Sequence, residues 1–358
     1  MTEHVKPKDL KKILKDNYPL QYLFLLGQKS NGKSTAAKNV CVEAAIKHGQ
    51  LFAYIRRYAN DIKNTKVISY FKNIKGFNVK TISGGEYDSI TARAGEIYAI
   101  NTTDKSKKLL IGYYFALATY DTYSSLNYPD VKYFIFEEIQ TLNGYLSNEK
   151  EKLDILVSTI IRDNGGTCFM VGNTMSNMCP YFREFQLTGI RTQELGTTDI
   201  YRCEDTNIGV YLTAPCDDKE SYQMFFGAGS NMIKSGEWLA RKQLKLEKDR
   251  DEYTTLYTCV LKYDDALFLM EFLRRNDTGA HLWFISKKTS EIQKGTRVIG
   301  NANIENELHT YAFTPLNDNE KIMFDYLKLN KIAYGDDLTG TEFKQAIKLL
   351  RGDNDNVF

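Results

Sequence analysis

The chain has 358 residues, with 47 Lys and Arg against 45 Asp and Glu, a formal net charge of +2. Apolar residues make up 42% and charged residues 26%, a globular balance that supports a sizeable core. It excludes a disordered chain or a histone-like basic tail, so any nucleic-acid contact must come from local patches.

Taken in chain order, Lys8–Lys15 is apolar at positions 10, 13 and 14 and predicts a short basic amphipathic helix. Gln21–Leu26 is a buried strand by length and ends in Gly27. From Lys33 to His48, Ala37, Val40, Cys41, Ala44 and Ala45 recur at helical spacing, and Gly49 suits a C-terminal cap. Leu51–Tyr58 reads as the next strand. Strand, loop, helix, strand opens a βαβ unit and predicts an α/β fold with a mainly parallel sheet between helices.

Further strands are expected at Glu96–Asn101, Leu109–Ala118, Lys132–Phe136 and Thr167–Val171. A helix with Leu153, Leu156, Val157, Ile160 and Ile161 on one stripe precedes the last of these and stops at Asn164-Gly165-Gly166. Segments 198–204 and 208–213 look like edge strands, and Pro215-Cys216-Asp217-Asp218 like a turn. A charged helix, Glu237–Asp249, follows Gly227, Gly229 and Gly236 and reads as a linker. Thr254–Lys262, Ala266–Phe272 and His281–Ser286 resemble a meander. Helices at 319–330 and 342–350 come next, the second with Phe343, Ala346, Ile347 and Leu350 on one face, and Gly352–Phe358 is expected to fray. The division expected is 1–200 for an α/β domain, 201–252 for a linker with a helix, and 253–358 for a small α+β domain.

No apolar run reaches the roughly 18–20 residues that span a bilayer. Met1–Lys8 carries charge without an apolar stretch, so neither a membrane span nor a secretory signal is expected. Cysteines at 41, 168, 179, 203, 216 and 259 form no CxxC pair and no cluster with His, and read as reduced, mostly buried thiols.

The motif that carries chemistry is Gly27-Gln28-Lys29-Ser30-Asn31-Gly32-Lys33-Ser34, which matches G-x-x-x-x-G-K-[ST] at every fixed position. Such a loop turns its backbone N–H groups toward phosphate oxygens, and the helix that begins at Lys33 adds its positive end. Lys33 would neutralise the terminal phosphates of a nucleotide, the Ser34 hydroxyl would ligate Mg²⁺, and Thr35 follows in the same first turn.

Val131-Lys132-Tyr133-Phe134-Ile135-Phe136-Glu137-Glu138 is a buried strand that ends in two acids. With a phosphate loop upstream, the first acid, Glu137, is the candidate metal carboxylate, and Glu138 the candidate that activates water. Glu137 stands where Asp is usual. The preference is therefore hydrolysis: no Arg-rich lid of a nucleoside kinase and no N-K-x-D of a small GTPase is present. Arg162 closes the helix after this strand and is a candidate finger onto a neighbouring subunit, with Arg183 and Arg191 as competitors. A cation at a helix C-terminus is also favourable in itself. Asn173, after Gly172 at the next strand end, is either a phosphate sensor or a turn residue.

Other basic groups are less specific. Arg56-Arg57 ends the second strand, and Lys105, Lys107 and Lys108 edge a hairpin; Arg57 and these lysines are candidate nucleic-acid contacts or a solvated face. Arg274-Arg275, Lys287-Lys288, Lys294 and Arg297 interleave with Trp283, Phe284 and Tyr311, a pattern that suits nucleic acid or an ordinary meander. Asp264-Asp265 has no further acids at strand ends to make a metal-dependent nuclease.

Lys29 in the glycine-rich loop, the Phe134-Ile135-Phe136-Glu137-Glu138 strand end, Gly172-Asn173 and Pro180-Tyr181-Phe182 together resemble the DNA-packaging ATPases of phi-29-like small tailed phages. These belong with the additional-strand, catalytic-glutamate ring translocases that include large terminases. The motif match covers about residues 20–185; over 220–358 it rests on size and order. The resemblance implies an ATP- and Mg²⁺-dependent homomeric ring, a pentamer, at the portal vertex of a procapsid in the host cytoplasm, which threads double-stranded DNA inward. A structural RNA is a further partner open under it.

It also implies a P-loop fold followed by a degenerate, RNase H-like nuclease domain. Carried over by position, Lys33 and Ser34 bind phosphate and metal, Glu138 activates water, Lys29 contacts the terminal phosphate, and Arg162 is the trans-acting finger. Two other readings stay open: a P-loop translocase or helicase on single strands, and an assembly protein that binds ATP as a switch with negligible hydrolysis.

Overall fold

The computed structural model describes residues 4–353 apart from 73, 124–126, 142–144, 163–164, 177, 216–233, 235–237, 264–265, 291, 293–294, 301–308 and 312–316. Several sequence expectations lie outside the described residues: the turn at Cys216-Asp217-Asp218, the glycines 227, 229 and 236, Asp264-Asp265, Lys294 and the final residues 354–358.

The amino-terminal half alternates strands and helices. In order come α1 (Pro7–Asp16), β1 (Tyr22–Leu26), α2 (Lys33–His48), β2 (Leu51–Arg56), α3 (Asn64–Phe71), α4 (Val79–Ile82), β3 (Ser89–Arg93), β4 (Glu96–Ile100), β5 (Lys108–Ala116) and β6 (Val131–Glu137). Then follow α5 (Glu149–Ile161), β7 (Thr167–Val171), α6 (Pro180–Glu184), β8 (Thr198–Cys203) and β9 (Thr206–Leu212). All nine strands form one sheet in the order β3-β4-β5-β2-β6-β7-β1-β9-β8. From β5 to β9 every pairing is parallel, and antiparallel hairpin strands finish both edges. The mainly parallel sheet expected from the βαβ pattern is therefore observed.

Burial explains the sequence texture. β2 is buried along its whole length, as a parallel strand covered on both faces must be. α2 packs into the core of the first sheet with small residues, Ala36, Ala37 and Ala45. Gly49 caps it in the left-handed region at φ 67°.

The remaining strands form a second sheet. β10 (Tyr253–Tyr263), β11 (Ala266–Arg275) and β12 (His281–Lys287) make an antiparallel meander. β13 (Arg297–Gly300) and β14 (His309–Tyr311) extend it in parallel from β10, and β15 (Ile332–Tyr334) adds in parallel to β12. α7 (Asp318–Lys328) and α8 (Asp337–Asp353) pack on it. A separate core forms around Trp283, Phe268 and Phe343.

Three expectations change. β9 is not an edge strand: it lies between β1 and β8, so the first sheet runs to Leu212 rather than ending at residue 200. Within 201–252 the stretch therefore begins as sheet. Residues 238–249 form no helix. Their amides and carbonyls are used elsewhere: Gln243 N donates to Asp337 Oδ1 at 3.1 Å, and Tyr334 N donates to Leu244 O at 2.8 Å. A helix would need those groups for itself.

Candidate active site

The parallel strands end together at one edge of the first sheet. Register pairs Leu25 with Val171, Glu137 with Val171 and Ile55 with Phe136. That brings Gly27, Arg56-Arg57, Glu137-Glu138 and Gly172-Asn173 to the same carboxyl edge, where open α/β sheets bind ligands. A cavity of about 1100 Å³ opens there. Lys29, Ser30, Asn31, Gly32, Lys33, Ser34 and Thr35 line it, and so do Glu137, Glu138 and Asn173. Gly27 and Gln28 stand behind the wall; the Gln28 side chain donates instead to Lys234 O at 2.9 Å.

The loop conformation demands its glycines. Gly27 has φ 139°, and a Cβ there would collide with the Thr213 hydroxyl at the end of β9. Gly32 has φ 92° and lies against Val5 O, because the segment before α1 crosses the loop; Val5 N donates to Asn31 O at 2.9 Å. His4, Val5, Lys6 and Pro7 thereby join the cavity wall. Nothing in the sequence signalled that.

Lys33 is buried, and its ammonium donates to the carbonyls of Gly27 (3.2 Å) and Gln28, to Asn31 Oδ1 (3.1 Å) and to Asn173 Oδ1 (3.4 Å). All of these are neutral acceptors. Burial lowers its pKa from 10.5 to about 7.

The two acids differ sharply. The Glu137 side chain is 7% exposed and that of Glu138 is 68% exposed. Glu137 Oε1 pairs with Lys38 Nζ at 2.9 Å, while Oε2 accepts from the Tyr54 hydroxyl and faces Arg56 Nη1 at 3.4 Å. Burial alone would raise its pKa, but Lys38, Tyr54 and Arg56 overcome this and hold it below the usual carboxylate range. Both oxygens are held by protein groups, so Glu137 does not fit a direct metal ligand. The Ser34 hydroxyl, on the cavity wall, fits a hard cation.

Glu138 has φ 59°, a left-handed conformation that costs a non-glycine residue on the order of 1–3 kcal/mol. Its surroundings impose it. Arg57 Nη1 donates to Glu138 O and Nη2 to Ile139 O, each at 2.9 Å, and Ile139 N donates to Val171 O at 3.2 Å. The Glu138 carboxylate meets Arg56 Nη2 at 2.6 Å. Arg56 thus bridges both acids.

Arg57 is not a surface nucleic-acid contact. It is buried, and Glu149 grips its guanidinium with both oxygens, at 2.7 and 2.8 Å. Glu149 in turn accepts from the Tyr181 hydroxyl at 2.7 Å and from Leu146 N at 2.8 Å. Lys105, Lys107 and Lys108 are exposed around the β4–β5 hairpin and do not line the cavity. In the second sheet, Trp283 is fully buried and its indole donates to Met323 O at 2.7 Å, so it is core and not a stacking platform. Arg297 pairs with buried Glu320 at 2.9 Å, and Arg275 pairs with Glu247 and Asp277.

Arg162 is exposed at the end of α5, five residues before β7 begins, and lies at the amino edge of the sheet. Arg183 contacts Glu184 and the Tyr263 hydroxyl, and Arg191 contacts Met178. None of the three lines the cavity. Among the described residues no group of three or more His, Cys, Asp or Glu could hold a metal, and no helix is long and apolar enough to cross a membrane.

These features define an α/β protein whose parallel sheet presents a glycine-rich loop, a buried lysine and two unlike carboxylates to one cavity. Residues 8–196 match the family described as Podovirus DNA encapsidation protein (Gp16), and the chain belongs to that family. It is 30% identical over 168 residues to a DNA packaging protein of Bacillus phage B103, which is 46% of this chain and 47% of that protein. The corresponding protein of Bacillus phage phi29 is 28% identical over 169 residues, 46% of each chain. The matched part thus spans about half the length of these curated relatives. Across 98% of this chain and 100% of the other, the fold resembles a chain of the bacteriophage Phi-29 viral genome packaging motor assembly, at a TM-score of 0.55 and 18% identity.

Proposed function

We propose that this chain is an ATP-hydrolysing subunit of a ring motor that drives double-stranded viral DNA through a portal into a procapsid. The observation that carries the reading is that Lys33 and Glu138, from different strand ends, line one cavity. The strand order β2-β6-β7-β1-β9, with β7 between the loop strand and the acid strand, supports an additional-strand, catalytic-glutamate P-loop class. In the second sheet, an antiparallel β10-β11-β12 meander extended in parallel by β13 and β14 supports an RNase H-like module, which we read as a docking element that does not cut. The same reading divides the chain into these two modules and a connecting segment.

The loop amides and the start of α2 cradle the phosphates, and Lys33 offsets their charge. Mg²⁺ arriving with the triphosphate would meet the Ser34 hydroxyl and neutralise phosphate charge, with Glu137 acting from behind through water. Glu138 accepts a proton as the water oxygen attacks the γ-phosphorus; the bond to the bridging oxygen breaks, and ADP and phosphate leave. Asn173, within reach of Lys33, reports the terminal phosphate, and Lys29 contacts it.

Arg162 stands at the far edge from its own cavity, which supports a role on a neighbouring subunit in a homomeric ring, read as a pentamer. The portal vertex in the host cytoplasm is the implied place of action, and a structural RNA an implied partner. Steady-state hydrolysis with double- or single-stranded DNA tests the reading. Double-stranded DNA should stimulate more, and Glu138→Gln should bind ATP yet lose turnover by about 10²–10⁴-fold. Indifference to both DNAs, or equal rates in the variant, would defeat it.

A further inference from the structure

Arg241, on the non-helical segment 238–249, lines the cavity although it lies beyond the first sheet in the chain. Two residues earlier, Leu239 N donates to Thr174 O at 3.1 Å, immediately after Asn173 on the cavity wall. The Gln28 side chain of the glycine-rich loop donates to Lys234 O, four residues before Trp238, where that segment begins. On its other side the segment is fixed to the second sheet's helix. Arg241 N donates to Thr341 Oγ1 at 2.8 Å and Gln243 N to Asp337 Oδ1 at 3.1 Å, both on α8.

The charges at this cavity are unevenly matched. Arg57 is answered by Glu149, and Arg56 by Glu137 and Glu138. Lys33 meets only neutral oxygens. Arg241 has no carboxylate partner among the described residues, and a like charge stands beside it: burial first, and then Arg241, lower the pKa of Lys344. Lys6, Lys29, Lys33, Lys75 and Arg241 line the cavity besides Arg56 and Arg57, against the acids Asp61, Glu137 and Glu138, so the cavity is electropositive and suited to a polyanion that brings several charges to one point.

We propose that Arg241 is a phosphate-contacting residue of this site, supplied by the connecting segment, so that a nucleoside triphosphate ties that segment and α8 to the glycine-rich loop. The inference rests on the nucleotide reading given above. It supplies a route between the two sheets: the side chain meets phosphate while its own amide is held by Thr341. By linkage, whatever shifts α8 changes triphosphate affinity, and triphosphate changes the hold on α8 equally.

The test is fluorescence titration of the full chain with labelled ATP and labelled AMP. Arg241→Ala should weaken ATP about tenfold, leave AMP unchanged and leave the melting temperature unchanged; Arg241→Lys should recover part of the loss. Thr341→Val, which removes the acceptor for the Arg241 amide, should weaken ATP about threefold. Wild-type ATP affinity in Arg241→Ala, beside loss in Lys33→Ala, overturns the inference and leaves the nucleotide reading standing. Equal losses for ATP and AMP overturn it as well, because they mark a structural role. Wild-type affinity in Lys33→Ala defeats the nucleotide reading itself. Unchanged affinity in Thr341→Val breaks the proposed link to α8.

Discussion

Arg57 holds the backbone of Glu138: its guanidinium donates at 2.9 Å to the carbonyl of a residue whose φ of 59° needs outside support. Glu149 fixes that guanidinium from the far side. Arg57→Ala should therefore leave a buried carboxylate unpaired and destabilise the protein by about 3–5 kcal/mol. Chemical denaturation measures this. Lys105→Ala and Lys107→Ala, both on the exposed hairpin, should leave stability within about 0.5 kcal/mol. A fully stable Arg57→Ala protein would return Arg57 to the list of surface contacts.

Glu137 presents a different dependence, because two cations and a tyrosine rely on its charge. Glu137→Gln should lower the denaturation midpoint far more than Glu138→Gln, whose carboxylate is largely exposed. Lys38→Met paired with Glu137→Gln should regain part of that loss, since a neutral pair replaces a broken ionic one. If the two glutamate variants are equally stable, the buried network is not what holds Glu137.

How far these relationships could be read in advance follows from their range in the chain. Gly27–Ser34 was legible because its chemistry is written in consecutive residues, and the βαβ pattern placed it after a strand. Glu137-Glu138 was legible as a strand end. Their separation into a held acid and an open one was not, since Lys38, Tyr54 and Arg56 come from α2 and β2. Arg57 looked like surface charge because its partner stands 92 residues away. The Lys- and Glu-rich stretch 237–249 has helical composition, yet distant acceptors on α8 and a donor on β15 take backbone groups of residues 238–249 that a helix would use. Strand order, which makes β9 an inner strand, leaves no local mark in the sequence.

Lys33 gives a pH signature. Its pKa in the folded chain, about 7, lies below its ordinary 10.5, so between these values the unfolded chain binds more protons than the folded one. Stability from this group is therefore lowest below pH 7 and rises as pH climbs through that window. Phosphate binding favours the ammonium, so nucleotide affinity should fall above pH 7, by up to about tenfold per unit, with proton uptake. Calorimetry in two buffers of unlike ionisation heat detects the uptake. Lys33→Arg should abolish it, because a guanidinium stays charged throughout.

Arg162 tests the assembly. It follows α5 and precedes β7, whereas Glu138 follows β6 at the opposite edge, roughly 20 Å away along the strands. An arginine side chain does not cross that distance, so a catalytic role for Arg162 requires a cavity on another copy of the chain. Arg162→Ala alone should bind ATP normally and hydrolyse it about 10³-fold more slowly, the scale of a missing arginine finger. Mixed with Glu138→Gln, each variant has what the other lacks: Arg162→Ala keeps an intact cavity, and its partner keeps the arginine. Interfaces that join the two in the productive order should regain turnover, with a maximum at an intermediate ratio. A mixture no faster than its separate components would place Arg162 outside catalysis and reduce it to a favourable cation at a helix end.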